Sequence, residues 1–423
     1  MLNQTYIKYS KKLKTNIKRQ KIMSAYNKSR GRQVSFDVKT AKIDQKVCND
    51  YHIVGELGSG AYGTVYKGWN RITKKKVAIK KIANLDSDIV DAIRIYREIQ
   101  VQKYTYQNKH ENIIGVKKMY LSKENNIKNI PVDVENFDTV YIVMEVGETD
   151  LHKLIQNYRN KPLTEEHYKY FVFQMIKGLE YLHKAGILHR DLKPSNVVCN
   201  GNCDVKLIDF GLARQNVDFE MTEYVVTRWY RAPEIMISPC KYGESIDIWA
   251  IGCIFAEIIL REPLFPMDNY IKLTEAILEL VDVKLDDLSE RNHRGYTFMK
   301  EVLKNKRKGT FVQKFKKLEK QTITKINRYS RTNNDKVSPV SDDCLDLLRK
   351  MLIFKQEDRI TIEEIKQHPY VKELFNNYPN KIDELPTFDM NMEIEAEIEA
   401  TNDFVTLKKY IANEVLAFEE LTQ

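Results

Sequence analysis

The stretch His189-Arg190-Asp191-Leu192-Lys193-Pro194-Ser195-Asn196, followed thirteen residues after Asn196 by Asp209-Phe210-Gly211, decides how this chain reads. Asp191 can orient an attacking hydroxyl and accept its proton, and Lys193 can neutralise a phosphoryl group in transfer. Asn196 and Asp209 offer the hard oxygens that Mg²⁺ prefers. The bland alternative is that Asp191 merely turns a loop and Asp209 caps one. Two specific strings at this spacing speak against it.

Upstream, Gly58-Ser59-Gly60-Ala61-Tyr62-Gly63-Thr64-Val65 lies between two β-prone runs. Its glycines permit a tight hairpin whose backbone N–H groups can approach a polyphosphate. Alone, the pattern fits an ordinary Gly-rich hairpin equally well. Val77-Ala78-Ile79-Lys80 follows on a predicted strand, where alternation puts Ala78 and Lys80 on one face. A strand lysine among Lys74, Lys75, Lys76 and Lys81 is ordinarily a surface group. Glu98, eighteen residues on in a helix predicted over 86–103, singles out Lys80 as its ion-pair partner. In that helix Ile89, Ile93 and Tyr96 form an apolar stripe, with Arg94, Arg97 and Glu98 on adjoining faces.

Outward from these motifs, strands are predicted over 51–57, 64–69, 76–82, 113–120 and 141–145. Helices are predicted over 165–185, 245–260, 271–280, 342–353 and 362–367. Short glycine-broken strands followed by long helices imply a small sheet-rich lobe and a larger helical one. A chain of 423 residues with 43% hydrophobic content can bury such cores, which excludes disorder throughout. Six cysteines without a CxxC pair exclude a disulfide scaffold and point to a reducing compartment. The longest apolar run, Ile248 to Leu260, is too short to span a bilayer and reads as a buried helix. No secretory signal is evident; an acid-poor beginning leaves a transit peptide as the alternative.

The net charge of +9 is segregated: residues 1–46 carry 13 Lys/Arg against two acids, so the rest is about neutral. Residues 300–336 hold thirteen basic residues against three acids, and residues 379–423 hold eleven acids against three lysines. The basic arm is expected to be a solvated, disordered extension. Nucleic-acid, membrane or nuclear-import roles are its alternatives.

On HRDLKPSN, DFG, the Gly-rich hairpin and VAIK, taken collinearly over about residues 51–371, the chain resembles the protein kinase superfamily. The resemblance implies an α+β bilobal fold: a small antiparallel-sheet lobe with one regulatory helix, and a large mainly helical lobe. It implies a serine/threonine kinase using ATP and Mg²⁺, with Asp191 and Lys193 catalytic and Asn196 and Asp209 holding metal. The ATP site would comprise Leu57, Gly58, Ser59, Gly60, Ala61, Tyr62, Gly63, Thr64, Val65, Ala78, Lys80, Glu98, Met144, Glu145 and Gly147. Ala232-Pro233-Glu234 would end the activation segment, Glu234 pairing with Arg359, and Asp247 would anchor the catalytic-loop backbone. The expected organisation is an arm over 1–50, lobes over 51–147 and 148–372, and an acidic extension over 373–423. Its last helix would return to the small lobe.

Met221-Thr222-Glu223-Tyr224, with Val225 to Arg231 after it, is similar to the Thr-x-Tyr lip of mitogen-activated protein kinases of the extracellular-signal-regulated class. That implies activation by phosphorylation of Thr222 and Tyr224. Phospho-Thr222 would bridge Arg97, Arg190 and Arg214, and phospho-Tyr224 would meet Arg228 and Arg231. It also implies protein substrates with Ser-Pro or Thr-Pro sites, an upstream dual-specificity kinase and phosphatases as partners. A monomer located in the cytoplasm or the nucleus is expected, with nucleic acid not a partner. Three features depart from the family. Gln102 stands where an apolar spine residue is usual, Asn376 and Pro379 replace docking carboxylates, and a basic insertion near 318–336 is expected as a surface loop. The rival readings are a catalytically dead scaffold, a cyclin-dependent enzyme and a nucleic-acid-binding protein.

Overall fold

The computed structural model describes residues 42–60, 63–123, 136–159, 162–215, 228–237, 243–288, 295–306, 308–329, 336–382, 384–390 and 392–422. The chain divides into two compact units. One takes the chain up to Glu148 together with Ile208–Ala213 and Phe388–Gln423; the other takes Thr149–Leu207 and Arg214–Thr387.

In the first unit a short helix, α1 (Gln45–Asp50), runs directly into β1 (Tyr51–Gly60). With β2 (Gly63–Asn70), β3 (Lys76–Ile82), β4 (Val116–Ser122) and β5 (Thr139–Met144) it forms an antiparallel sheet of order β1-β2-β3-β5-β4. Strand β5, TVYIVM, is flanked on both edges and buried at every position, which suits its β-branched and aromatic content. Val77 and Ile79 join Tyr66, Tyr141 and Val143 in an apolar cluster closed by Ile43 and Val47. Ala78 and Lys80 therefore take the opposite face of β3.

From residues 42–50, which the sequence assigns to the arm, Ile43 and Val47 belong to this cluster. Lys81 Nζ donates to the Lys42 carbonyl at 2.9 Å, and Lys118 Nζ and Tyr120 Oη donate to Asp50 at 2.7 and 2.5 Å. Two apolar residues spaced i, i+4 complete a core, a signal hidden by the arm's positive charge. Helix α2 (Ile89–Gln107) starts at Asp88, whose carboxylate accepts from the Asp91 N–H at 3.0 Å.

The second unit opens with β6 (Thr149–Asp150), α3 (Leu151–Asn157) and α4 (Glu165–Lys184). Strand β7 (Ile187–Leu188) pairs with β10 (Arg214–Gln215), while β8 (Val197–Cys199) lies between β6 and β9 (Val205–Leu207). Helices α5 (Pro233–Ile237), α6 (Ser245–Leu260), α7 (Tyr270–Leu280), α8 (Tyr296–Asn305), α9 (Phe311–Arg328), α10 (Asp342–Met351), α11 (Ile362–Gln367) and α12 (Lys372–Asn377) follow. The apolar helix α6 is buried from Ile246 to Leu260 and packs against α4 and α10. A Cβ on Gly252 would come within 3.0–3.2 Å of Leu352 and Met351 side-chain atoms, so α6 and α10 approach closely there. Where a basic surface loop is expected, α9 is an amphipathic helix. It buries Phe311, Phe315, Glu319 and Ile326, one or two helical turns apart, behind a Thr310–Gln313 capping box.

Chain continuity then returns to the first unit with α13 (Met392–Thr401) and α14 (Phe404–Thr422). Helix α14 packs on α2 and β4, burying Leu407, Ile411, Val415 and Phe418. Covered in this way, α2 is buried at every position from Ala92 to Gln102 rather than along one stripe.

Candidate active site

In the first unit, Lys80 Nζ lies 2.9 and 2.7 Å from the two carboxylate oxygens of Glu98 and 3.4 Å from Asp209 Oδ1. Strand β3 carries the lysine and α2 the glutamate; Asp209 sits on a backbone with φ +68°. Burial opposes charge on Lys80, but Asp209 and Glu98 outweigh it and hold the ammonium protonated, well above the ordinary lysine range. Burial also pushes the Glu98 carboxyl up, a rise that Lys80 holds in check.

The Gly-rich strand ends face open space, since Cβ atoms added to Gly58 and Gly60 would meet nothing within 4 Å. Gly63 is obligatory for another reason: at φ +129° its Cβ would fall 2.2 Å from the Lys81 carbonyl oxygen. Ser59 and Thr64 hydroxyls pair at 3.2 Å across the hairpin, and Val65 is the register partner of Lys80. Ala61 and Tyr62 lie outside the described residues. Leu57 is exposed, whereas Ala78 and Met144 are buried register partners across β3 and β5. The Glu145 N–H is committed to the Gly115 carbonyl at 2.8 Å, and Gly147 is half-buried two residues on.

The second unit assembles a separate constellation. Lys193 Nζ donates to Asp191 Oδ2 at 2.7 Å, and Asn196 Nδ2 donates to Asp191 Oδ2 and to its carbonyl at 2.9 and 2.8 Å. Asp247, 1% exposed on α6, accepts from the backbone N–H groups of His189 and Arg190 at 2.9 and 2.8 Å and faces His183 Nε2 at 3.0 Å. Burial would raise that carboxyl, but these bonds win and lower it. They hold Arg190 at φ +67°, a strained backbone at the centre of the loop. Arg359 forks onto Glu234 at 2.6 and 2.9 Å, stacks 5.0 Å from the Trp249 ring and donates to three backbone carbonyls.

Thr222 and Tyr224 lie outside the described residues. Of their expected arginines, Arg97 Nε donates to Glu395 Oε2 at 2.8 Å, and Arg214 pairs with Leu188 across β10 and β7. Arg228 donates to the Asp268 carbonyl at 2.6 Å and stacks on Tyr270, whose hydroxyl accepts from Arg231 at 2.6 Å. The sequence reading missed Glu395 altogether. The available sign was an acid set among Ile394 and Ile398 at helical spacing.

The pair Lys80–Glu98 with Asp209, beside open-faced glycines, offers cationic and oxygen groups of the kind a metal-bound polyphosphate needs. Among the described residues no group of three or more His, Cys, Asp or Glu side chains could hold a metal by itself, and no helix is long and apolar enough to cross a membrane. A family model described as a protein kinase domain matches residues 51–371. Mitogen-activated protein kinase 4 of Arabidopsis thaliana is 43% identical over 75% of this chain and 76% of its own length. Mitogen-activated protein kinase 13 of the same plant is 40% identical, covering 86% and 90%. The mitogen-activated protein kinase homolog MMK2 of Medicago sativa is 40% identical, covering 76% and 77%.

Proposed function

Because the chain belongs to the protein kinase superfamily as a mitogen-activated serine/threonine kinase, we propose that it transfers the γ-phosphate of Mg·ATP to Ser-Pro and Thr-Pro sites. Phosphorylation of Thr222 and Tyr224 by an upstream dual-specificity kinase switches it on, and phosphatases reverse the switch. The observation carrying this reading is the Lys80–Glu98–Asp209 cluster, with both carboxylates converging on one ammonium.

In this reading Asp191 orients the substrate hydroxyl and takes its proton, while Lys193, bonded to the same carboxylate, neutralises the phosphoryl group as it moves. Lys80, fixed by Glu98, grips the ATP phosphates. Asp209 and Asn196 each offer a hard oxygen of the kind Mg²⁺ takes, and the ion would supply charge neutralisation on those phosphates. The Glu145 carbonyl and the Gly147 backbone receive adenine, bordered by Met144 and Ala78. Proline after the phosphoacceptor avoids stranding an N–H that would have no partner. The enzyme works as a monomer in the cytoplasm, with the nucleus as a second location.

Phosphorylation of a peptide array by the full chain, before and after treatment with a dual-specificity upstream kinase, tests this directly. Mass spectrometry should find phosphate on Thr222 and Tyr224, and activity should rise with it and favour Ser-Pro over Ser-Ala. Equal rates on Ser-Ala, or full activity without lip phosphate, would contradict it.

A further inference from the structure

Arg97 and Glu98 are neighbours on α2 but serve different sides of it. Glu98 pairs with Lys80, whereas Arg97 pairs with Glu395 of α13, 298 residues away in sequence, with side chains only 6% and 2% exposed. The same C-terminal segment grips α2 along its length. Phe388 meets Tyr104 edge-on at 5.4 Å, Tyr410 meets Tyr96 at 6.0 Å, and Phe418 meets Tyr106 at 4.9 Å. Glu414 pairs with Lys103, beside Tyr104.

Hydrophobic burial is non-directional: it keeps a helix attached but fixes its rotation about its own axis less sharply than an ion pair between two buried side chains does. A buried ion pair is poor value for stability, because desolvation cancels most of its Coulombic gain. Its geometry is what it adds. With about 100° between successive side chains, fixing Arg97 on one side of α2 fixes where Glu98 points on the other.

We propose that Glu395 is a positioning residue for nucleotide binding, its carboxylate holding Arg97 so that α2 presents Glu98 to Lys80. The C-terminal segment then supplies in cis a directional hold on this helix next to Glu98. The inference rests on Lys80, Glu98 and Asp209 being the ATP phosphate site.

Calorimetric titration of the phosphatase-treated full chain with Mg·ATP, well below its unfolding temperature, tests it. Glu395→Gln keeps the shape but removes the charge. Loosening the charge-assisted hold on the phosphates should weaken Mg·ATP binding about tenfold. A second variant, Arg97→Met with Glu395→Leu, leaves no buried orphan charge and protects against misfolding, and it should show the same weakening. A lowered melting temperature with a dissociation constant within twofold of wild type would make Glu395 merely structural. Wild-type binding in the double variant, or tighter binding in either, would also overturn the proposal. Asp191→Asn separates this from the underlying reading: it should bind Mg·ATP normally yet lose about 10³-fold or more in turnover. Failure of the wild type itself to bind Mg·ATP would remove the phosphate site, not just the positioning role.

Discussion

Gln102 is 1% exposed, and neither amide atom of its side chain has a hydrogen-bond partner among the described residues. A buried donor or acceptor left unpaired costs about 1–3 kcal/mol. Gln102→Leu, similar in volume and apolar, should therefore raise stability by about 1–3 kcal/mol in chemical denaturation; an unchanged midpoint would mean the amide is satisfied. Glu257 raises a second residue-level question, because it is buried on α6 and accepts from Tyr230 Oη at 2.6 Å. Burial pushes its carboxyl up to about 7, against a smaller opposing pull from the tyrosine hydroxyl. The folded state thus keeps a proton that the unfolded chain sheds near pH 4.5, so this stabilisation is full below that pH and is lost as pH rises through 7. Glu257→Gln should not pay that loss, gaining about 2–3 kcal/mol on wild type between pH 5 and pH 8. Melting curves of the two proteins that stay parallel across that range would refute it.

At the scale of elements, residues 42–50 and α9 carry the clearest lesson about what was legible in the sequence. The strands and helices that bear chemistry were readable because alternation, helical spacing and motif coincide in them; α6 and α11 begin and end where the pattern predicts. Segment 42–50 was not, since Ile43 and Val47 are two apolar residues in a basic arm and their burial depends on a sheet formed elsewhere in the chain. Helix α9 was masked likewise by its lysines, which line its solvent face while phenylalanines four apart face inward. Within the site, Lys80–Glu98 was readable from spacing, whereas Arg97–Glu395 joins residues too distant for any local pattern. Truncation tests the element boundary. A chain beginning at Lys42 is the reference. Removing 1–50 strips Ile43 and Val47 from the sheet and should cost about 3 kcal/mol or more; equal midpoints for the two truncations would show that α1 does not close the core.

For the whole molecule, the chemistry is divided between the two units: Lys80, Glu98 and Asp209 in one, and Asp191, Lys193 and Asn196 in the other. Each constellation is complete within its own unit, held there by that unit's core, so each can be disabled without disturbing the other's packing. Lys80→Met should weaken Mg·ATP binding and lower turnover, while Asp191→Asn should lower turnover by about 10³-fold or more with nucleotide affinity unchanged. Residues that act as one catalytic unit are non-additive: once proton acceptance is lost, the remaining rate depends little on how the phosphates are gripped. The double variant should therefore turn over no more slowly than Asp191→Asn alone, within about threefold. If the two losses multiplied instead, Lys80 and Asp191 would be contributing independently, and they would not be acting as one catalytic unit.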